Sequence, residues 1–462
     1  MDLKIILSEK GKPLAVLNNY KYSFQKKLKS GENRWICTNK SKCKSYVLTL
    51  GDVENLTITK HVQEHCHSAN VEQLERQIVS ASCKRKATDD LSEKPSKIIR
   101  KELQNDLPAT IKTTDVALIR RNLYNARRKL LPPLPTSVEE TFDILVNMNI
   151  QTSKGENFLL FKDRTDQIMV FSCQTNIEFI GRVKRIYLDG TFNYCPQFFC
   201  QFFTIHGYYN GHYIPLIFSL LPNKRSETYQ KLFNIVKAIC INNSVTLDIS
   251  EIVVDFEKGI HKAVEQVWPL AQVIGCRFHL LQAWYRKIQQ IGLIPVYKDE
   301  SSNSGRWLRM TFALTFLNPV EVSDCFVFDL LSIAPPDDEK IQMYCDYLID
   351  NYISEESLFP PTVWAQNSAE LTRTTNTCES FHRHFNDSFY KSHPNIFIFV
   401  DKLKEFQIET YVKIQSVHLN AKIINSKVRN RKKFIAKMID SYAKNEISRL
   451  HFIKCVSFHC AV

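Results

Sequence analysis

Arg185-Ile186-Tyr187-Leu188-Asp189-Gly190-Thr191-Phe192 is the stretch on which the reading of this chain turns. Its apolar run reads as a strand, and the strand closes on an acid. Downstream, residues 198–207 and 212–221 read as two further strands, with Tyr209-Asn210-Gly211 as the hairpin turn between them. Ser226 is placed to cap a helix that is apolar at Tyr229, Leu232, Ile235, Val236 and Ile239, the spacing of one helical face. Glu251-Ile252-Val253-Val254-Asp255 is another short apolar strand ending on an acid, and a helix pattern follows it. Gln272-Val273-Ile274-Gly275-Cys276 then leads into a helix over 280–289.

Three strands, a helix, a strand, a helix and a strand is the order of an RNase H-like domain. Upstream, residues 1–70 alternate apolar and polar positions, as in Tyr20-Lys21-Tyr22-Ser23-Phe24 and Leu56-Thr57-Ile58-Thr59, with a turn at Lys29-Ser30-Gly31-Glu32-Asn33. Residues 71–110 turn polar and basic, which is linker composition. The expected chain is therefore α+β and multidomain. A small β-rich domain (1–70) and the linker precede a basic helical segment (111–140) and the first part of an RNase H-like α/β core (141–290). A helical insertion (291–366), the end of the core (367–410) and a helical C-terminal region (411–462) complete it.

Composition agrees with several globular domains. The 462 residues suffice for roughly two or three cores, and 44% hydrophobic with 11% aromatic residues is not a disordered composition. Lys and Arg number 61 against 48 Asp and Glu, a net charge of +13, which suits a polyanionic partner. The first residues are broken by Asp2 and Lys4 and do not read as a signal peptide. The longest apolar runs, such as 213–221, fall short of the ~20 residues of a membrane span. An intracellular, membrane-free protein is expected, whose 14 cysteines serve metal ligation or burial rather than disulfides.

Two constellations carry chemistry. Asp189 and Asp255 each end a strand, where a sheet fixes a carboxylate while leaving it accessible. A third acid, Glu379, opens a plausible helix in Thr377-Cys378-Glu379-Ser380-Phe381-His382. Carboxylates are hard ligands for Mg²⁺ or Mn²⁺, and two such ions ~3.5–4 Å apart can activate a nucleophile and stabilise a leaving oxygen in phosphodiester chemistry. His382, three residues beyond Glu379, shares its helix face. Cys276 and His279 are two further accessory candidates, with burial and packing an equal reading for them. In the N-terminal domain, Cys37, Cys43, His65 and His67 form C-x5-C-x21-H-x-H, a donor set for tetrahedral zinc; His61 and Cys66 lie close enough to rival the last two.

These segments resemble known families. Phe24 and Trp35 ahead of Cys37, with the paired ligands, resemble the FLYWCH-type zinc finger over about residues 11–67. Tyr187-Leu188-Asp189-Gly190-Thr191-Phe192, Val253-Val254-Asp255-Phe256-Glu257-Lys258 and the segment 373–382 resemble, in order, the three catalytic segments of Mutator-like (MULE) transposases. The resemblance implies a DDE triad of Asp189, Asp255 and Glu379, a Cys-x-x-His element at Cys276 and His279, and a helical insertion before the third acid. It also implies a DNA transposase acting on double-stranded DNA, with terminal inverted repeats as its sites, as a homo-oligomer on DNA in the nucleus. Such proteins often continue into a C-terminal zinc module; His451, Cys455, His459 and Cys460 are too irregularly spaced to form one.

Basic segments fit that expectation. Arg120, Arg121, Arg127 and Arg128 fall on a helix-compatible stretch, with 120, 127 and 128 expected on one DNA-facing side and a solvated face as the plainer reading. Lys84-Arg85-Lys86 with Lys94 and Lys97 reads as a nuclear localisation signal, and Lys26, Lys27, Lys29, Arg34, Lys40, Lys42 and Lys44 crowd the zinc segment. The competing reading is a domesticated DNA-binding regulator that keeps the core without turnover. A nuclease unrelated to transposition is a third, and it leaves 373–382 unexplained.

Overall fold

Strand alternation near the N-terminus resolves into an antiparallel meander paired in chain order: β1 (Lys4–Leu7), β2 (Pro13–Leu17), β3 (Tyr20–Lys27), β4 (Asn33–Cys37), β5 (Tyr46–Leu50) and β6 (Thr57–Val62). The computed structural model describes residues 3–8, 11–51, 55–62, 64–105, 107–299, 301–336, 338–370, 372–418 and 425–459. The chain divides into two units, Met1–Leu134 with Ser388–Tyr390, and Pro135–Asp387 with Lys391–Val462. In the first unit the meander closes on Ala15, Leu17, Tyr22, Trp35 and Val47 together with Cys37 and Cys43. So small an apolar set needs further cross-linking to hold a sheet.

The polar stretch after the meander is not an extended linker. It forms α1 (Val71–Asp89) and α2 (Pro95–Asn105), which pack with α3 (Thr113–Leu130) around Val79, Cys83, Ala87, Ile98, Ile99, Ile119 and Leu123. The buried stripe is thin and partly built from small residues, so a polar average composition conceals it. Asn70 starts α1 by accepting the Gln73 amide at 2.9 Å.

The second unit opens with α4 (Val138–Asn147), β7 (Leu159–Asp163), β8 (Ile168–Phe171) and α5 (Gln174–Ile180). There follow β9 (Arg185–Thr191), β10 (Gln201–Tyr209), β11 (His212–Leu221), α6 (Ser226–Asn242), β12 (Glu251–Val254), α7 (Lys258–Val267), β13 (Gln272–Gly275) and α8 (Arg277–Gln290). They make a mixed seven-stranded sheet in the order β13-β12-β9-β10-β11-β8-β7. β12 runs parallel to β9 and β13, and the other neighbours are antiparallel. Strands β7, at the sheet edge, and β8 beside it had no counterpart in the sequence reading. Asn210 (φ 50) and Gly211 (φ 82) make the β10–β11 turn, two left-handed residues as a tight hairpin demands. Ser226 is not the cap of α6. Arg225 holds that position, and the Asn223 side chain instead accepts Arg225 N at 2.9 Å and Thr228 Oγ1 at 2.7 Å.

Beyond α8 no strand occurs among the described residues. α9 (Ile294–Lys298), α10 (Asn303–Ala313), α11 (Pro319–Asp324), α12 (Glu339–Leu348) and α13 (Pro361–Trp364) precede α14 (Asn376–Asp387), α15 (Ile396–Ser416), α16 (Ser426–Ala443) and α17 (Arg449–Ser457). The helical core gathers Trp284, Trp307, Phe312, Trp364 and, from the C-terminal helices, Ile435 and Phe452. The chain is thus α+β, an antiparallel sheet followed by a mixed sheet and many helices. No described helix is long and apolar enough to cross a membrane.

Candidate metal centres

In the first unit, Cys37 ends β4, Cys43 follows a short turn, and His65 and His67 lie just past β6. Their ligand atoms all fall within 4.8 Å of one another. His65 turns Nδ1 toward Cys43 Sγ (3.3 Å) and His67 turns Nε2 toward Cys37 Sγ (3.2 Å). The far nitrogens are also engaged: His65 Nε2 with the Tyr22 hydroxyl at 2.8 Å, and His67 Nδ1 with Ser68 O at 3.0 Å. Such outer partners fix ring orientation and tautomer, leaving one lone pair per ring directed inward. Burial holds the His65 imidazole below its ordinary pKa, and so in the neutral form a metal ligand requires. Burial pushes the Cys37 thiol up. At Cys43 the Ser45 and Cys66 backbone amides outweigh burial and pull the thiol down. Two thiols and two imidazoles fit structural zinc. The rival candidates stand apart: His61 Nε2 meets the Tyr22 hydroxyl at 2.9 Å, and Cys66 Sγ donates to Lys42 O at 2.7 Å.

In the second unit the sheet and one helix assemble the other centre. Asp189 sits on β9, Asp255 just past β12, His279 on the first turn of α8, and Glu379 and His382 on the first two turns of α14. His279 lies between two acids, with Nδ1 against Asp255 Oδ1 and Nε2 2.8 Å from Glu379 Oε1. Burial disfavours its cation, yet the pairing with Asp255, Cys276 and Glu379 prevails and pushes its pKa up to about 12. The Asp255 carboxyl is raised by burial and by the charges of Asp189 and Glu379, with His279 acting against them. His382 is buried, not a surface histidine, and serves Asp189 rather than Glu379, its Nδ1 lying 2.9 Å from Asp189 Oδ2. That contact is off the hydrogen-bonding direction, and among the described residues Asp189 Oδ2 and Glu379 Oε1 are buried with no aligned donor. Crowded carboxylates with orphaned oxygens are a donor set for a hard divalent cation.

The sequence reading missed Thr204, His206 and Thr375 as supports of this centre, and Cys276 takes the buried packing role that was one of its two readings. Thr204 faces Asp189 across the β9–β10 pair, and its hydroxyl lies 3.0 Å from both His382 Nε2 and His206 Nε2. Cys276 is fully buried and accepts from Thr375 N and Oγ1, each at 3.2 Å, while Thr375 O receives the Glu379 amide at 2.9 Å. Cys276 thereby positions the start of α14, although its Sγ also falls within 4.8 Å of ligand atoms of Asp255 and His279. Arg373 is buried and donates to Thr315 O at 3.1 Å. Gly190 leaves room for the chain opposite, since a Cβ there would sit 2.8 Å from Gln201 Oε1.

The basic residues divide by burial. Arg120, Arg121 and Arg128 are exposed on α3. Arg127 lies on nearly the same side of the helix as Arg120, seven positions earlier, but is buried. Its guanidinium donates to Ala87 O at 2.9 Å and to Asp90 O and Glu93 O at 2.7 Å each, closing the C-terminal end of α1. It is therefore a structural residue, not a contact for phosphate. Lys84, Arg85 and Lys86 are exposed on α1, with Lys86 paired to Glu102. In the finger Lys26, Lys27, Lys29, Lys40, Lys42 and Lys44 are exposed, whereas Arg34 stacks on Tyr46 at 4.6 Å. On α16, Arg429 and Lys433 are exposed and Lys432 pairs with Glu370. Near the C-terminus His451 Nε2 lies 3.4 Å from Cys455 Sγ, and Cys460 lies outside the described residues.

Comparison with curated proteins yields no match. Two family models do match, and one of them spans the elements that carry Asp189, Asp255, Cys276 and His279, with Glu379 and His382 beyond its end. Residues 5–67 match the family described as FLYWCH zinc finger domain, and residues 185–283 the family described as MULE transposase domain.

Proposed function

We propose that this chain is a transposase-like DNA-binding protein that cuts and joins DNA strands at a divalent-cation site formed by Asp189, Asp255 and Glu379. The observation that carries the reading is that acids from three separate segments come together: Asp255 and Glu379 flank His279, and the charges of Asp189 and Glu379 are both felt at Asp255. The sheet order β11-β10-β9-β12-β13, with three antiparallel strands and then two parallel ones, supports an RNase H-like core. Asp189, Asp255 and Glu379 would hold a Mg²⁺ or Mn²⁺ ion, which would supply Lewis-acid activation of a water or 3′-hydroxyl and of the leaving oxygen. His279 places positive charge between Asp255 and Glu379, His382 and Thr204 orient Asp189, and Thr375 sets Glu379 at the head of α14. The zinc finger lysines with Arg120, Arg121 and Arg128 grip the backbone of double-stranded DNA, with terminal inverted repeats as the sites and a homo-oligomer as the acting form. The nucleus is the compartment where that substrate is found.

The test is a Mg²⁺-dependent cleavage and joining assay on DNA carrying candidate element ends, with wild type, Asp189→Ala and Glu379→Ala compared. Wild type is expected to cut and join while both variants bind DNA and stay inert. Binding without turnover in wild type under Mg²⁺ and Mn²⁺ would remove the catalytic role and leave a transposase-derived DNA-binding regulator.

A further inference from the structure

The helical part of the second unit contains a cleft of about 500 Å³ between α10 and α17. None of its lining residues belongs to the carboxylate centre, and none is an acid. Arg306, Arg309 and Lys454 supply positive charge to its lining, and Met310, Ile333 and Phe458 supply apolar surface. Both guanidiniums are braced by neutral groups. Arg306 Nη2 donates to Ser301 O at 3.1 Å and Asn303 Oδ1 at 3.0 Å, and Arg309 Nη1 donates to Tyr297 O. Asp299, which feels the Arg309 charge, gives its Oδ1 to Ser301 N and Oγ instead. Lys454 is exposed and makes no ion pair among the described residues. The Phe458 ring, 73% exposed, stands at the end of α17 beside these cations.

Cations alone would suit any anion, and an apolar wall alone would suit any greasy group. Both together, in a cleft of ligand size, call for an aromatic ring that carries negative charge. We propose that this cleft binds a nucleotide, its phosphate on Arg306, Arg309 and Lys454 and its base against Phe458. Phosphate takes charge-assisted hydrogen bonds from guanidinium and ammonium donors. Every base offers a π face to an aromatic side chain, so the site is expected to be tolerant of base identity. The nucleotide comes either free from solution or as a unit of a single strand, and the chemistry of the cleft is the same for both. The inference does not depend on the carboxylate site.

The test is calorimetric titration of the full chain with deoxyadenosine monophosphate, deoxyadenosine, inorganic phosphate and a short single-stranded oligonucleotide. Saturable binding of the mononucleotide is expected, tighter than either fragment. Arg306→Gln and Lys454→Gln are each expected to weaken it about tenfold. Phe458→Leu keeps apolar volume but removes the ring, and is expected to weaken the mononucleotide several-fold while leaving phosphate binding unchanged. Asp189→Asn is expected to leave it unchanged, which separates this site from the carboxylate reading. Thermal melting of each variant checks that the fold is kept. Competition between mononucleotide and oligonucleotide assigns the cleft to a strand, and binding without competition assigns it to a free nucleotide. Absence of saturable mononucleotide binding, phosphate binding as tightly as the nucleotide, tighter binding of an acidic peptide, or indifference to all three cleft substitutions would overturn the proposal.

Discussion

The two candidate metal centres of this chain are built in opposite ways. In the zinc finger the ligands Cys37, Cys43, His65 and His67 lie close in sequence, and two of them belong to the small core itself. In the second unit the acids come from β9, the end of β12 and α14, placed by a sheet whose core includes Leu188, Ile205, Leu232 and Val254 and contains none of the acids. A site of the first kind makes folding depend on its ion, whereas one of the second kind is presented by a fold that exists before any ion. The donor chemistry follows the same division, soft sulfur and nitrogen against hard oxygen.

The largest expected effect is therefore on the finger. Cys43→Ala should abolish zinc binding and unfold the β1–β6 meander, since zinc association with such modules is worth ~10–16 kcal/mol. Metal content and NMR dispersion check this, and a folded, zinc-free meander would break the contrast. The melting transition of the second unit should not move.

Arg127→Met comes next. It removes three carbonyl contacts made by a buried guanidinium, and should destabilise the α1–α3 unit by about 2–4 kcal/mol in denaturant titrations. Arg128→Met, on the exposed side, should change stability by less than ~0.5 kcal/mol and lower the salt slope of DNA binding by roughly 1. Equal stability losses for the two would contradict their separation by burial.

A smaller effect is expected at Thr204, whose hydroxyl joins His382 to His206. Thr204→Val leaves two buried imidazoles without that partner and should cost about 1–3 kcal/mol by thermal unfolding. Smallest is Gly211→Ala in the β10–β11 turn, where φ is +82, at about 1 kcal/mol. No loss there would mean that the hairpin does not need its left-handed turn.

What was legible in the sequence follows the same contrast. Strands β9, β10 and β11 and the Asn210-Gly211 turn could be read because their signals are local. The finger ligands could be read because spacing alone groups them. Helices α1 and α2 were hidden because a stripe carried by residues such as Cys83 and Ala87 barely alters a polar composition. Arg127 was misplaced because a helical repeat gives direction around the axis but not how burial changes along it: Arg120 is exposed and Arg127, seven positions on, is buried. Thr204 and Thr375 carry no signature at all. Their part depends on the β9–β10 register and on Cys276 meeting residues 99 positions away, which no local pattern encodes.

The central claim is that Asp189, Asp255 and Glu379 form one hard-cation site independent of the zinc site. It is tested most directly by electron paramagnetic resonance of Mn²⁺ titrated into the zinc-loaded chain and into Asp189→Asn and Glu379→Gln. Saturable Mn²⁺ binding in wild type, lost in both variants with zinc content unchanged, is the expected result. Mn²⁺ binding that survives both substitutions would contradict the account.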